Sequence, residues 1–234
     1  MAAGGSVTNL SGGTIISTSS YGIEINQNGS YAVAGTVNNA GVINGGPGPA
    51  VTFASSTYSD LVIDQTTGVF IGGVVGGGAN STFELAAGPG QTTLNGFGSS
   101  ITNFGTLKFD PGTNWVVDAS NNIAGTTIVG FSPSDTINVA GVTDPTVTQS
   151  YSDGVTKVTL SGSSPVTLSF AGDLGTFHST TVDGTTELTT LCFGPGTKID
   201  TPDGEVRVED LAVGDIVRKG ACSTGSAMVA SRSC

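Results

Sequence analysis

Cys192 is the residue of this sequence best placed for chemistry, because it heads a compact strand, turn and strand pattern. The run Cys192-Phe193-Gly194-Pro195-Gly196-Thr197-Lys198-Ile199 leads into Thr201-Pro202-Asp203-Gly204-Glu205, then Val208-Glu209-Asp210-Leu211-Ala212-Val213-Gly214-Asp215-Ile216-Val217. A thiol is the strongest common side-chain nucleophile near neutral pH, but it also needs an acid for the leaving group and donors for the oxyanion. The single histidine, His178, precedes Cys192. With Asp173, Asp183 and one of many serines it makes a triad only on paper, since no nucleophile-elbow motif accompanies it. His178 reads as a solvated side chain on a hairpin. Asp60, Asp64, Asp110 and Asp118 lack both the EF-hand spacing and a Gly-Gly-x-Gly-x-Asp repeat, so they read as solvated surface carboxylates. Neither a metal nor a cofactor is expected. Trp115, preceded by Asn114, reads as a core or coil-stacking residue rather than a sugar-stacking platform. Asn9-Leu10-Ser11, Asn28-Gly29-Ser30 and Asn80-Ser81-Thr82 fit the glycosylation triplet, as chance provides in a chain rich in Asn, Ser and Thr.

The block that starts at Cys192 resembles the opening of a Hint domain, the self-processing module shared by inteins and hedgehog proteins. The resemblance implies that Cys192 attacks the carbonyl of Leu191 and converts the Leu191-Cys192 peptide bond into a thioester. It also implies a later Thr-x-x-His motif for the oxyanion donors and the acid, and a His-Asn pair where splicing occurs. Neither follows Cys192 in this sequence. The resemblance thus covers residues 192–217, as a truncated, partial Hint-like segment with a nucleophile and no partner acid. From Arg218 to Cys234 there is neither a period-2 nor a helical apolar pattern. Residues 218–234 are therefore expected to be a disordered tail, such as a frameshift or premature end in the gene would leave.

Composition limits the partners. The charged fraction is 11% beside 37% hydrophobic, with a net charge of -11 and a pI near 4.1. Nucleic acid and anionic membrane both select clustered Lys and Arg, and this balance excludes them as expected partners. Residues 1–191 carry two basic side chains, Lys108 and Lys157, against twelve acidic ones, whereas residues 192–234 carry five against six. That shift puts a boundary just before Cys192. All three cysteines lie at or after position 192, so the first 191 residues hold no disulfide. A solenoid stapled by backbone hydrogen bonds manages without one, and the lack does not argue for the cytosol. Met1-Ala2-Ala3-Gly4-Gly5-Ser6 has neither a basic n-region nor an apolar h-region, so no signal peptide is visible. No apolar run is long enough for a membrane span.

The elements that must carry Cys192 are short β-rich runs punctuated by Gly and Asn. Val37-Asn38-Asn39-Ala40-Gly41-Val42-Ile43 aligns residue for residue with Ile101-Thr102-Asn103-Phe104-Gly105-Thr106-Leu107, and Val7-Thr8-Asn9-Leu10 to Gly13-Thr14-Ile15 is a looser copy. The spacing predicts coils of roughly 20 residues, each too small to bury its own inward side chains, so stacking makes the core. Val37, Val42, Ile43, Ile101, Phe104 and Leu107 are expected to point inward. Asn at the turns tolerates left-handed geometry, and its amide stacks on an Asn in the next coil. With Leu61-Val62-Ile63-Asp64, Val69-Phe70-Ile71 and Thr82-Phe83-Glu84-Leu85 the pattern resembles the passenger regions of autotransporters and related bacterial surface proteins, which implies a right-handed parallel β-helix. A β-sandwich with the same turn chemistry is the competing arrangement.

From about Ile123 the pattern changes. Thr127-Ile128-Val129-Gly130-Phe131-Ser132-Pro133-Ser134-Asp135-Thr136-Ile137-Asn138-Val139 resembles a segment of bacterial secreted repeat proteins in which a last coil leads into hairpins. Asp153-Gly154 and Asp183-Gly184, each between β-rich runs, are strong hairpin signals. The expected organisation is all-β: solenoid coils over 1–140, a hairpin-rich antiparallel cap over 141–191, the Hint-like segment and the tail. Three functions compete. The first is a secreted or cell-surface, adhesin-like structural protein, monomeric, with an inactive Hint remnant and an unidentified surface ligand or polysaccharide as partner. The second is a working self-cleaving protein acting at Leu191-Cys192. The third is a carbohydrate-active β-helix, which lacks an expected carboxylate pair or basic groove.

Overall fold

The computed structural model describes residues 5–26, 33–54, 57–143, 145–162, 164–191, 198–202, 204–212, 214–218 and 228–229. The chain winds through β1 (Gly5–Asn9), β2 (Thr14–Ile16), β3 (Ile23–Ile25), β4 (Gly35–Asn39), β5 (Val42–Asn44), β6 (Val51–Phe53), β7 (Leu61–Asp64) and β8 (Val69–Ile71). It continues through β9 (Val74–Leu85), β10 (Thr92–Phe97), β11 (Ile101–Phe109), β12 (Trp115–Ala119), β13 (Thr127–Val129) and β14 (Thr136–Ala140). Among these fourteen strands every pairing is parallel. That sets aside the sandwich, whose neighbours run antiparallel.

Equivalent side chains stack coil on coil. One column runs Val7, Val37, Val62, Phe83, Leu107 and Ile128 in direct register. A second runs Ile15, Ile43, Phe70, a third Ile23, Val51, Val74, Ile101, and a later one Leu94, Val117, Ile137. Strands alternate their side chains between faces, so each three- to five-residue strand sends one to three residues inward. From Val37 to Ile128 the first column is wholly buried. Four phenylalanines, Phe70, Phe83, Phe97 and Phe104, fill the middle edge to face, with Phe83 and Phe104 centroids 5.3 Å apart. The architecture is a parallel β-solenoid.

Two details differ from the sequence reading. Val42 is half-buried and Ile43 inward, because consecutive residues of β5 must face opposite ways; Val37, Ile101, Phe104 and Leu107 are buried as expected. The two aligned heptads also occupy different corners. Val37 to Ile43 passes from the first column to the second and stacks on Val7 to Ile15, whereas Ile101 to Leu107 passes from the third to the first and stacks on Val74 to Phe83. Both corners ask for the same chemistry, and Asn103 takes it up literally with φ 64, donating Nδ2 to the Gly76 carbonyl at 2.7 Å.

Beyond β14 the chain reverses. Strands β15 (Thr146–Ser152), β16 (Val155–Ser161), β17 (Val166–Ala171), β18 (Thr176–Val182) and β19 (Thr185–Leu191) form two antiparallel hairpin systems. Their turns are Asp153-Gly154 and Asp183-Gly184, with φ of 52 and 78 in the first and 49 and 78 in the second. Positive φ at both central residues is what a two-residue hairpin on twisted strands requires. The hairpins join the solenoid through β17 on β13, Ile128 opposite Phe170, and through β19 on β14, Ile137 opposite Leu188. Phe131, Phe170 and Phe177 cluster beneath them.

Candidate functional site

The Leu191-Cys192 junction is reached from the last strand of this sheet. On one side β19 pairs with β14, and on the other with β18, where Leu191 lies opposite Thr176. The residue whose carbonyl the thiol would attack is therefore held by a ladder to its final position. Cys192 itself lies outside the described residues, as do the other residues of 192–197.

After the junction, β20 (Lys198–Thr201) and β21 (Gly204–Arg207) form an antiparallel hairpin. Asp203 of the expected turn lies outside the described residues, but Gly204 has φ 121, and Thr201 Oγ donates to the Gly204 carbonyl at 2.6 Å, closing the turn. Lys198 and Glu205 pair across the strands at 2.9 Å in full solvent, and that hydrogen bond raises the lysine above its ordinary range. A single 3-10 turn over Val208–Asp210 follows. Ala212 N–H donates to the Asp215 carboxylate at 2.8 Å, and the chain comes back so that Arg218 N–H reaches the Asp200 carbonyl at 2.7 Å. Strand β22 (Ile216–Val217) pairs with β23 (Met228–Val229). Of the expected tail, only Arg218, Met228 and Val229 belong to the described residues; 219–227 and 230–234 lie outside them. Sheets β20–β21 and β22–β23 are separate from the solenoid's sheets.

The other candidates separate cleanly. His178 is exposed on β18, opposite Thr189. Asp173 accepts from its own loop, at Gly175 N–H, and Asp183 sits in the hairpin turn, so the three do not converge. Trp115 is buried, and its Nε1 donates to the Ala86 carbonyl at 2.9 Å, coil to coil; it is no sugar platform. Asp110, with Glu84, holds Lys108 at 3.0 and 2.6 Å, and these hydrogen bonds, Glu84 first, raise the lysine. Asp118 accepts from Asn138 at 2.7 Å.

Asp60 and Asp64 correct the surface reading, for both are buried. Asp60 Oδ1 accepts from Gly35 N–H of the preceding coil at 2.7 Å. Asp64 shares the parity of Val62 in β7, so alternation turns it inward, and burial pushes its carboxyl up to about 8. The sequence signal was that parity, together with an alignment of Asp64 on Asn39 and Asn9. Asp135 went unnoticed as well. Fully buried, it accepts from Ser132 N–H, Ser132 Oγ, Trp115 N–H and Thr113 Oγ, and so ties the turn before β14 to the coil before it. Among the described residues no three His, Cys, Asp or Glu side chains gather as metal ligands, and no helix is long and apolar enough to cross a membrane.

A family model described as Hint domain matches residues 191–224. The matched segment opens on the last residue of β19 and runs past Val217. No curated protein and no solved structure matches the chain.

Proposed function

We propose that this chain is a secreted or cell-surface β-solenoid, structural and adhesin-like, which carries at its C-terminal side the opening of a Hint-type self-processing module. Cys192 is its nucleophile and Leu191-Cys192 the bond addressed. The observation that carries this reading is that the Hint match begins at Leu191, the last described residue of the antiparallel strand β19 that closes the solenoid's sheet. A module that cuts at its own first residue needs its substrate carbonyl at such a border. In the acyl shift, Cys192 Sγ would add to the Leu191 carbonyl, the C–N bond would break, and the Cys192 amine would leave with a proton from a general acid. No histidine follows Cys192 in this sequence. Loss of a general acid forfeits about 10² to 10⁴ in rate and loss of an oxyanion donor about 10² to 10³ more, so residues 1–234 by themselves are processing-inactive.

Intact-mass spectrometry tests this. Purified chain incubated for hours at neutral pH, with and without thiol or hydroxylamine, is expected to remain uncut at Leu191-Cys192. Accumulation of a thiol-stimulated fragment ending at Leu191, abolished by Cys192→Ala, would establish the working self-cleaving protein instead.

A further inference from the structure

Three polar side chains stack inside the first coils in direct register: Asn9, Asn39 and Asp64. Asn9 Nδ2 donates to Asn39 Oδ1 at 2.9 Å and to the Val42 carbonyl at 3.1 Å. Asn39 Nδ2 donates to the Val69 carbonyl at 3.3 Å, while its Oδ1 also accepts from Gly41 N–H at 3.2 Å. Each rung that belongs to an asparagine thus has a donor for the coil that follows. Asp64 occupies the third rung, only 3% exposed, and its Oδ1 has no hydrogen-bond partner.

The turn around it matches that of the first rung. Gly13 N–H bonds to the Leu10 carbonyl and Gly68 N–H to the Gln65 carbonyl, at 2.8 and 2.7 Å. A Cβ on Gly13 would strike Asn9 Oδ1, and one on Gly68 would strike Asp64 Oδ1. The Asp64 carboxyl therefore lies where the first coil holds an amide. An ionised carboxylate only accepts hydrogen bonds, whereas a neutral carboxylic acid, like an amide, both donates and accepts. In the coils that follow, the same column is Leu85 and then Phe109, which need no proton.

We infer that Asp64 is a proton-operated rung: buried in register with Asn9 and Asn39, it is accommodated as the neutral acid, and as a carboxylate whose Oδ1 meets no donor it lets β1, β4 and β7 open while the later coils stay closed. Among the described residues no neighbouring charge offsets it. β4, β5, β8 and residues 86–91 contain no ionisable side chain. From β9 and β11, Glu84 and Lys108 pair with each other on the outer face, together with Asp110, and Asp60 lies at the far end of β7 on Gly35 N–H. The direction follows from burial, which raises the carboxyl from 3.8 to about 8. The stabilisation is complete below the unfolded value, declines as the unfolded chain alone releases its proton, and is lost as pH rises through the folded value.

Native-state amide exchange on the whole chain tests the inference. Between about pH 6 and pH 9, after correction for intrinsic rates, the opening of β1, β4 and β7 should become about 100-fold more favourable, tenfold per unit up to the folded value. The amides of β12 and β14 should keep their protection, and Asp64→Asn should remove the change. Unchanged protection of β1, β4 and β7 across that range, or a loss that persists in Asp64→Asn, overturns it. If Asp64→Asn does not fold, carbon NMR titration of wild-type side-chain carboxyls decides: one carboxyl titrating near pH 8 sustains the inference, and none above the ordinary range refutes it.

Discussion

Ile101→Asp is expected to lower the stability of the solenoid by about 4 kcal/mol or more, whereas Ile101→Val should cost only about 1 kcal/mol. Ile101 is 5% exposed, lies opposite Val74 on one side and Phe97 on the other, and belongs to the core that contains Phe83 and Phe104. A carboxylate there would have no hydrogen-bond donor in reach of its register partners. It would either stay charged without a partner or bind a proton against its ordinary tendency. The contrast with Asp64 is instructive: there a carboxyl stands in register with a stacked amide, and at Ile101 the register partners are Val74 and Phe97. Urea unfolding followed by the fluorescence of Trp115, the single tryptophan, measures the loss. A midpoint for Ile101→Asp close to that of wild type would mean that the third column is not load-carrying core.

Asp135→Ala should be nearly as damaging, by about 3 to 5 kcal/mol, through the opposite mechanism. Its carboxylate accepts four hydrogen bonds at 2.7 to 3.2 Å, two of them from the backbone N–H groups of Ser132 and Trp115. Bonds to a charged acceptor are stronger than neutral ones. Removing the acceptor strands the Trp115 N–H and Thr113 hydroxyl, both in fully buried residues, at the point where the last coils join. Asp135→Asn keeps the shape but presents an amide hydrogen to donors, and should cost about half as much. The same unfolding measurement applies, and an Asp135→Ala midpoint close to that of wild type would show that these four hydrogen bonds do not hold the coils together.

Much of this fold could be read from local chemistry. Asp153-Gly154 and Asp183-Gly184 gave their hairpins away because few residue pairs accept positive φ at both central positions. Asn9 and Asn39 revealed a coil corner, since an amide can donate to one coil and accept from another. What stayed hidden was set by register between distant coils. The heptads at Val37 and Ile101 look alike because both corners need strand, Asn or Gly bend, and strand, yet nothing local states which column each begins in. Asp60 and Asp64 read as surface carboxylates because aspartate usually is one, and Asp135 drew no notice at all; only the stacked neighbours, about a coil away in sequence, bury them. At the candidate site the sequence pattern of residues 192–217 marked out a segment that the Hint family model also covers, while the ladder that holds Leu191 came from Thr176 of β18, which carries no motif.

The border has one more consequence. The hairpin of β20 and β21 shares no sheet with the coils, so the described strands on either side of residues 192–197 have no ladder in common. Their relation is covalent: while the chain is continuous each is held to the other, and after a break at Leu191 the concentration of one about the other would fall to whatever the bulk supplies. The coils themselves would lose no backbone ladder, since β19 keeps both of its neighbours. A cut there would change what the solenoid is attached to, and leave the melting of the solenoid where it was.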